Sequence, residues 1–573
     1  MRQVSESRRQ PGPRTIPSLP RHHVLRRSEF EALERALFGS AGPAGDDAGD
    51  DASDTGKACG VYGPAGSGKT VLAAAVARSP LISRRFPDGV FWLTMGREPR
   101  LTVLQAQLAR QIRKPRVFDD PYSGRQQLAR LLVEQTVLLI LDDVWHVDHA
   151  SLLDVVGAQG RMLLTTRDRD VLRPLTTLQI ELDTASPQQA QVLLARWAGC
   201  HPSDLPDEAA RIAGLAGRLP LPLAMLGASA GVAKRPWNQV LAALETADTD
   251  GGSNARTAGR TRRATDVCLD ALEPSLRDAY LELAVFPPGQ SIPEEAIEVL
   301  WGIALPDMRD RLSALEKRAL VVRDRQWDRV TVHDVQRQCA ITRLPDLVEL
   351  HGRLADTYAQ RWRTRKDQDA RRGGHIWQLG YHLVQAGRPE ELRELLWNYD
   401  WLDGKLRADG MAELLADLHL AGEELAILRL ALIMSSRVLV ADPAQLPGQL
   451  IGRLGHTDAK DWPGARSAIR HLLGQARAQR GFSWLCPLAP TLTSPAAALS
   501  ATGIPEAERA THTQRLRSLA SPGGRAAVAM AVRLDGSRAL ISQADAQVSL
   551  WGLQPPTRLV RPVSNRRFGG VIQ

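Results

Sequence analysis

Eight residues constrain this chain more than any others: Gly63-Pro64-Ala65-Gly66-Ser67-Gly68-Lys69-Thr70, spaced as G-x-x-x-x-G-K-[ST]. Before them, Ala58–Tyr62 has the length and mix of a first strand. After them, Val71–Ala77 is a good helix former. Strand, glycine loop and helix form the setting in which such a loop cradles phosphate. The glycines let backbone N–H groups turn inward around phosphate oxygens, and the helix N-terminus adds partial positive charge. Gly63, Gly66, Ser67 and Gly68 would line the cradle. Lys69 would reach the β- and γ-phosphates, and Thr70 would ligate Mg²⁺. The competing reading is a chance Gly-rich turn, which the flanking strand and helix patterns disfavour.

At 573 residues the chain exceeds what one core can organise, so several domains are expected. Val90–Thr94 reads as a buried strand. Val137–Leu141 is a five-residue apolar run ending in Asp142-Asp143. Such a run is a central parallel strand, with its carboxylates at the C-terminal edge where open α/β sheets bind nucleotides. Asp142 is then the Mg²⁺-side carboxylate, and Asp143 is placed to orient a water. Alone, two acids after a strand would read better as a helix N-cap. A further strand, Met162–Thr166, ends in Arg167-Asp168. Arg167 there either senses a γ-phosphate or makes a surface salt bridge with Asp168 or Asp170.

From Ser186-Pro187 the patterns turn helical. Pro220 and Pro222 stand in the apolar run Leu219–Ala224, where they break or delay a helix. Residues 246–265, rich in Asp, Gly, Thr and Arg, read as a linker. Residues 266–345 combine helices with two short strand patterns, Leu320–Arg323 and Val330–Asp334. A hairpin after the helix Met308–Arg318 suggests a winged helix. Residues 346–480 are helical again, and 481–524 are rich in Pro, Ser, Thr and Ala. Residues 525–555 look β, with an Asp535-Gly536 turn between apolar runs. Residues 1–20 and 556–573 read as disordered tails.

The formal charge is +9, and part of the excess is an Arg-crowded start. A basic balance admits nucleic acid or other anionic partners. The five cysteines are scattered, with no C-x-x-C pair, which suggests neither a disulfide framework nor a zinc site and fits a reducing cytosol. No apolar run reaches membrane-spanning length, and the start lacks the apolar core of a secretory signal. A cytoplasmic location is expected, with no membrane partner.

These stations, in this order, resemble the NB-ARC family of signalling ATPases, within the STAND class of P-loop proteins. The resemblance is carried by Val24-Leu25-Arg26, Gly63–Thr70, Leu138–Trp145, Thr165-Thr166-Arg167, Arg218–Leu221, Phe286-Pro287, and Val332-His333-Asp334 with Val in place of Met. Pro222 stands where the family usually has Ala, which bears on where the following helix starts. The resemblance implies an α/β P-loop NTPase domain with a parallel sheet over 21–180, a helical domain over 181–245 and a winged-helix domain over 266–345. Residues 346–480 look like the helical arm of bacterial relatives of apoptotic protease-activating factor. Residues 525–555 resemble one isolated WD-repeat blade, with Gly552 where the signature Asp would be.

By the same resemblance, Val24 and Arg26 contact adenine, Asp142 acts through the metal and Arg167 senses the γ-phosphate. Pro220 packs on the nucleotide, His333 touches the β-phosphate of ADP, and Asp334 fixes the loop carrying His333. The implied function is an ADP/ATP switch, closed with ADP and opening or oligomerising with ATP, at most a slow ATPase. Implied partners are adenine nucleotide, further copies of the chain in the ATP state, and proteins bound through the C-terminal region. Two alternatives stand beside it. One is a winged-helix DNA-binding regulator, although Asp310 and Glu316 interleave with Arg309, Arg311, Lys317 and Arg318, so nucleic acid is not the expected partner. The other is a truncated interaction protein that binds ADP without signalling output. One blade cannot bury both faces of its sheet, so the chain is expected to be a truncation of a longer sensor, with a weakly packed or disordered end.

Overall fold

The computed structural model describes residues 15–38, 57–118, 120–176, 178–246, 256–364, 378–455, 465–479, 492 and four short strands between 527 and 558. The chain separates into two compact units. The first comprises residues 1–114 and 122–350, the second 115–121 and 351–573. The expected linker at 481–524 lies outside the described residues, apart from residue 492. So do residues 1–14 and 559–573 of the two expected tails, whereas residues 15–20 correct the first: Thr15 bonds to Val90 and Trp92, and Ile16 and Leu19 pack on the core because they are apolar.

The first unit is built on a five-stranded parallel sheet. Its strands are β1 (Ala58–Tyr62), β2 (Gly89–Gly96), β3 (Val137–Val144), β4 (Arg161–Thr166) and β5 (Leu178–Glu181), in the order β2-β3-β4-β1-β5. Both faces of β3 are covered, which is why its sequence is continuously apolar rather than alternating. On one face Leu138 and Ile140 join Val61, Val90, Trp92 and Leu163, packed by Leu33 and Leu37 of the helix Arg27–Phe38 and by Leu72, Ala73 and Val76 of the helix Lys69–Ala77. The β3–β4 register shifts between Leu141 and Val144. That irregularity falls at Asp142-Asp143, and bulges of this kind re-aim side chains beside functional sites.

The helix Pro220–Gly231 begins at Pro220 itself, so both prolines sit in its first turn. A first-turn proline removes no hydrogen bond that the helix would otherwise make. The helix packs on Pro187–Ala198 through glycines. A Cβ at Gly227 would stand 2.7 Å from the Leu194 carbonyl oxygen, and one at Gly231 would collide with that of Ala198.

The expected linker at 246–265 is corrected in its second half, where a helix runs from Arg256 to Asp270. Its buried residues are Thr261, Ala264, Thr265, Val267, Cys268 and Leu269, and those within the expected linker, Thr261, Ala264 and Thr265, are small or only weakly apolar. The hairpin is present and gains a third strand. β6 (Ile292–Pro293) pairs antiparallel with β8 (Arg329–Thr331), which pairs with β7 (Val322–Asp324). The second strand stops short of His333-Asp334, because Asp334 opens the helix Asp334–Arg343.

The second unit is helical from Leu379 to Ala478 among its described residues. Its last strands, β9 (Ala527–Val532), β10 (Arg538–Gln543), β11 (Val548–Leu553) and β12 (Pro556–Arg558), form a four-stranded antiparallel sheet in the order β12-β11-β10-β9. β12 extends the expected β segment into the expected tail.

Gly231→Ala tests the close helix crossing. Forcing the two helices apart is expected to cost about 1–3 kcal/mol, read as a lower urea midpoint at unchanged slope. An unchanged midpoint would show that the crossing is loose.

Candidate functional site

The glycine loop turns on left-handed backbone at Gly66 (φ 80°) and Gly68 (φ 98°). A side chain is strained at either position. A Cβ at Gly63 would collide with the carbonyl oxygen of Leu182, so that glycine is needed for close approach. A Cβ at Gly68 would meet nothing within 4 Å, which leaves open space before the helix N-terminus. Ser67 Oγ is buried there with no hydrogen-bond partner among the described residues. Open space, an unused hydroxyl and free helix N–H groups suit a phosphate ligand. Lys69 is buried, and its Nζ donates to the carbonyl oxygens of Gly63 at 2.8 Å and Pro64 at 2.9 Å. Burial, with Arg167 as a further contributor, pulls its pKa down to about 8. The ammonium still carries most of its charge at neutral pH.

Across the sheet edge, Asp142 is buried and accepts from Thr70 Oγ1 at 2.9 Å and from Thr165 Oγ1 at 2.6 Å. Its pKa is pushed up to about 6, chiefly by burial, against the lowering effect of the Thr165 and Thr70 hydroxyls. Thr70 and Asp142 therefore face each other as a hydroxyl and a carboxylate, the donor set a hard divalent cation takes. Asp143 sits on left-handed backbone (φ 57°), and its N–H donates to Thr165 Oγ1 at 2.9 Å. That twist separates the two neighbouring carboxylates. Asp143 accepts instead from Trp145 Nε1 at 2.9 Å and pairs with Arg167 Nε at 3.4 Å.

Arg167 makes neither of the local salt bridges the sequence allowed. Asp168 caps its own helix by accepting from the N–H of Asp170, and the exposed Asp170 pairs with Arg173. The partners of Arg167 are Asp143 and, at 3.2 Å through Nη2, Asp334. Asp334 thus reaches across to the sheet edge. The loop before it is held by His333, whose Nδ1 accepts from the N–H of Val335. Burial, with Arg167 and Lys69 adding to it, holds the His333 pKa down to about 4, so the ring is neutral at physiological pH.

Pro220 lies beside the loop, since the N–H of Leu221 meets the Gly66 carbonyl oxygen at 3.4 Å. Arg26 is buried and donates to the Thr184 carbonyl at 3.3 Å. The next residue, Ala185, donates its N–H to the Arg218 carbonyl, and its own carbonyl accepts from Arg218 Nε. The segment 183–185 therefore joins the entry segment, with half-buried Val24, to the turn before Pro220. Thr165 and Trp145 were quoted in the sequence motifs without a role. Arg97, stacked on Trp145, carried no local signal at all.

Fold and site define a P-loop nucleotide-binding protein. Residues 50–199 match the NB-ARC domain and residues 347–428 the APAF-1 helical domain. Apoptotic protease-activating factor 1 of Danio rerio is 29% identical over 385 residues, covering 63% of this chain and 30% of that protein. Disease resistance protein ADR1 of Arabidopsis thaliana is 26% identical over 248 residues, covering 42% of this chain and 28% of that protein. Among solved structures, a STAND protein with a tetratricopeptide repeat sensor from Pyrococcus horikoshii aligns over 88% of this chain and 66% of its own, at 14% identity and a TM-score of 0.46. The matches support an NB-ARC domain of the P-loop type in this chain, followed by a segment similar to the APAF-1 helical domain. It spans about 30% of the length of the curated apoptotic factors it matches. Among the described residues no helix is long and apolar enough to cross a membrane.

The raised pKa of Asp142 sets a pH dependence. A pKa raised on folding contributes stability that is full below the unfolded value of 3.8 and is lost as pH rises through about 6. A divalent cation needs the ionised form, so it competes with that proton. The melting-temperature gain from Mg²⁺ in saturating ADP is expected to appear as pH rises through about 6. Below that, the Mg²⁺ affinity should fall roughly tenfold per pH unit. Asp142→Asn should shrink the step to the part set by the nucleotide's own terminal phosphate, which titrates in the same range. A step of equal size in both would place the metal elsewhere.

Proposed function

We propose that this chain is an adenine-nucleotide-gated signalling switch, held closed by ADP and opened by ATP. The observation that carries the reading is the position of Arg167. One guanidinium spans a carboxylate at the end of the central strand and another at the head of the helix Asp334–Arg343. A γ-phosphate beside Lys69 would offer Arg167 a stronger anionic partner than Asp334. ADP leaves the Arg167–Asp334 contact intact, whereas ATP competes for it. A ligand that favours one arrangement shifts the population by its differential affinity.

In this reading the backbone of Gly63, Gly66, Ser67 and Gly68 and the ammonium of Lys69 hold phosphates. Thr70 and Asp142 hold Mg²⁺, whose role is to bridge and neutralise phosphate oxygens. Val24 and Arg26 face adenine, Pro220 packs on the nucleotide, and neutral His333 donates to the β-phosphate of ADP. Asp143 is occupied by Trp145 and Arg167 rather than free to orient a water, which suits slow hydrolysis at most. The open state would assemble with further copies of the chain, and the C-terminal region would take protein partners. The DNA-binding reading is weaker on geometry, because Arg309 of the helix Leu305–Glu316 and Arg323 of β7 turn onto the buried carboxylate of Glu294.

Two variants test the switch. Lys69→Ala should weaken ADP binding strongly by calorimetry, through loss of the charge opposite the phosphates. Asp334→Val should speed ADP release. An intact charge-assisted contact is worth about 1.5–3 kcal/mol. Here the Arg167 and Asp334 side chains are 26% and 37% exposed, and screening brings the expected change down to roughly threefold to tenfold. Identical ADP off-rates in variant and parent would remove Asp334 from the latch.

A further inference from the structure

Trp145 lies one residue past β3 and carries two guanidiniums on its ring. The Cζ of Arg97, just past the end of β2, is 4.3 Å from a Trp145 ring centroid, and the Cζ of Arg167, just past β4, is 4.7 Å away. The indole N–H is spent on Asp143 Oδ2, and the other oxygen of that carboxylate, Oδ1, holds Arg167 Nε. The indole therefore fixes Arg167 twice, once through its ring face and once through the carboxylate that it orients. Arg167 needs such support. Its own strand ends at Thr166, and its remaining tie, to Asp334, is the one the proposed switch breaks.

Asp143 also depends on this arrangement. Its left-handed backbone aims its carboxylate away from Asp142 and toward Trp145 and Arg167. Without the indole N–H, that carboxylate would lose a donor and pair with Arg167 in more than one way. Without the ring, Arg167 would lose the flat surface that restricts a long, flexible side chain.

We propose that Trp145 is the positioning residue that aims Arg167 at the γ-phosphate and so sets discrimination between nucleoside triphosphate and diphosphate. Arg97 covers the same ring and supports it from the neighbouring strand. This rests on the reading of Arg167 as the γ-phosphate sensor. Its reach goes beyond that reading, because it assigns the discrimination to a side chain that need touch no nucleotide.

The test is the ratio of affinities of the full chain for a non-hydrolysable ATP analogue and for ADP, measured by calorimetry with Mg²⁺ in parent, Trp145→Leu, Trp145→Phe and Arg167→Ala. Trp145→Leu removes the ring and the donor, and Trp145→Phe keeps a ring but no donor. A cation–ring contact of the usual strength corresponds to roughly a two- to thirtyfold change in an equilibrium. The analogue-to-ADP preference is expected to fall by that factor in Trp145→Leu and by less in Trp145→Phe, while ADP affinity stays within about twofold of the parent. Retained ADP affinity also shows that the nucleotide domain is folded, and if Trp145→Leu fails to fold, Trp145→Phe and Arg97→Ala carry the comparison. If Arg167→Ala changes the ratio and the Trp145 variants do not, the positioning role is overturned while the sensor reading survives. If Arg167→Ala leaves the ratio unchanged, the sensor reading fails and the proposal fails with it. Equal losses for analogue and ADP in Trp145→Phe would make Trp145 merely structural and would also overturn it.

Discussion

A single guanidinium, that of Arg167, is shared between Asp143 near the end of β3 and Asp334, 167 residues after Arg167, at the head of a helix. The phosphate loop and the sheet edge form one rigid side of this contact. The helix Asp334–Arg343 forms the other, tied down by Gln336 to the Ala319 carbonyl and by Arg337 to the Phe286 carbonyl. Whatever draws Arg167 toward the phosphate loop therefore acts on how that helix is seated. The contact is partly exposed and modest in strength, which suits the release that the proposed switch calls for.

The two most buried charges of the site are each held by near neighbours. Asp142 is buried and held by two threonine hydroxyls, with a pKa raised to about 6. Lys69 is buried against its own loop carbonyls, with a pKa lowered to about 8. Burial opposes charge at both residues. A metal-bound phosphate would supply the missing counter-charges to both together, so that binding and the ordering of the site are linked.

The parts of this arrangement that were legible in the sequence are those encoded locally. The loop Gly63–Thr70 is contiguous, and the apolar run before Asp142 is short and ends in two acids, as a parallel strand covered on both faces does. What was not legible depends on distant partners or on weak side chains. The partners of Arg167 could not be read from its neighbours, because Asp334 is distant in sequence and Asp143 is turned toward it by a left-handed backbone. The first half of the helix Arg256–Asp270 reads as a linker because its buried residues there are only Thr261, Ala264 and Thr265, and periodicity is read from large apolar residues such as Val267 and Leu269, which come after it. The sequence alone does not place the helix start at Pro220, because proline breaks a helix interior but not its first turn, and only the structure says which turn it occupies. Trp145 stood in plain sight within Leu138–Trp145, but its role lies in stacking across three strand ends.

The central claim is that nucleotide state decides whether the helix Asp334–Arg343 stays docked on the sheet edge through Arg167. Amide hydrogen exchange over residues 334–343 measures this directly, with the full chain saturated by Mg²⁺ and either ADP or a non-hydrolysable ATP analogue. The account predicts strong protection with ADP and a clear loss of protection with the analogue, while the strand Val137–Val144 stays protected in both. Equal protection of residues 334–343 in the two states would contradict it.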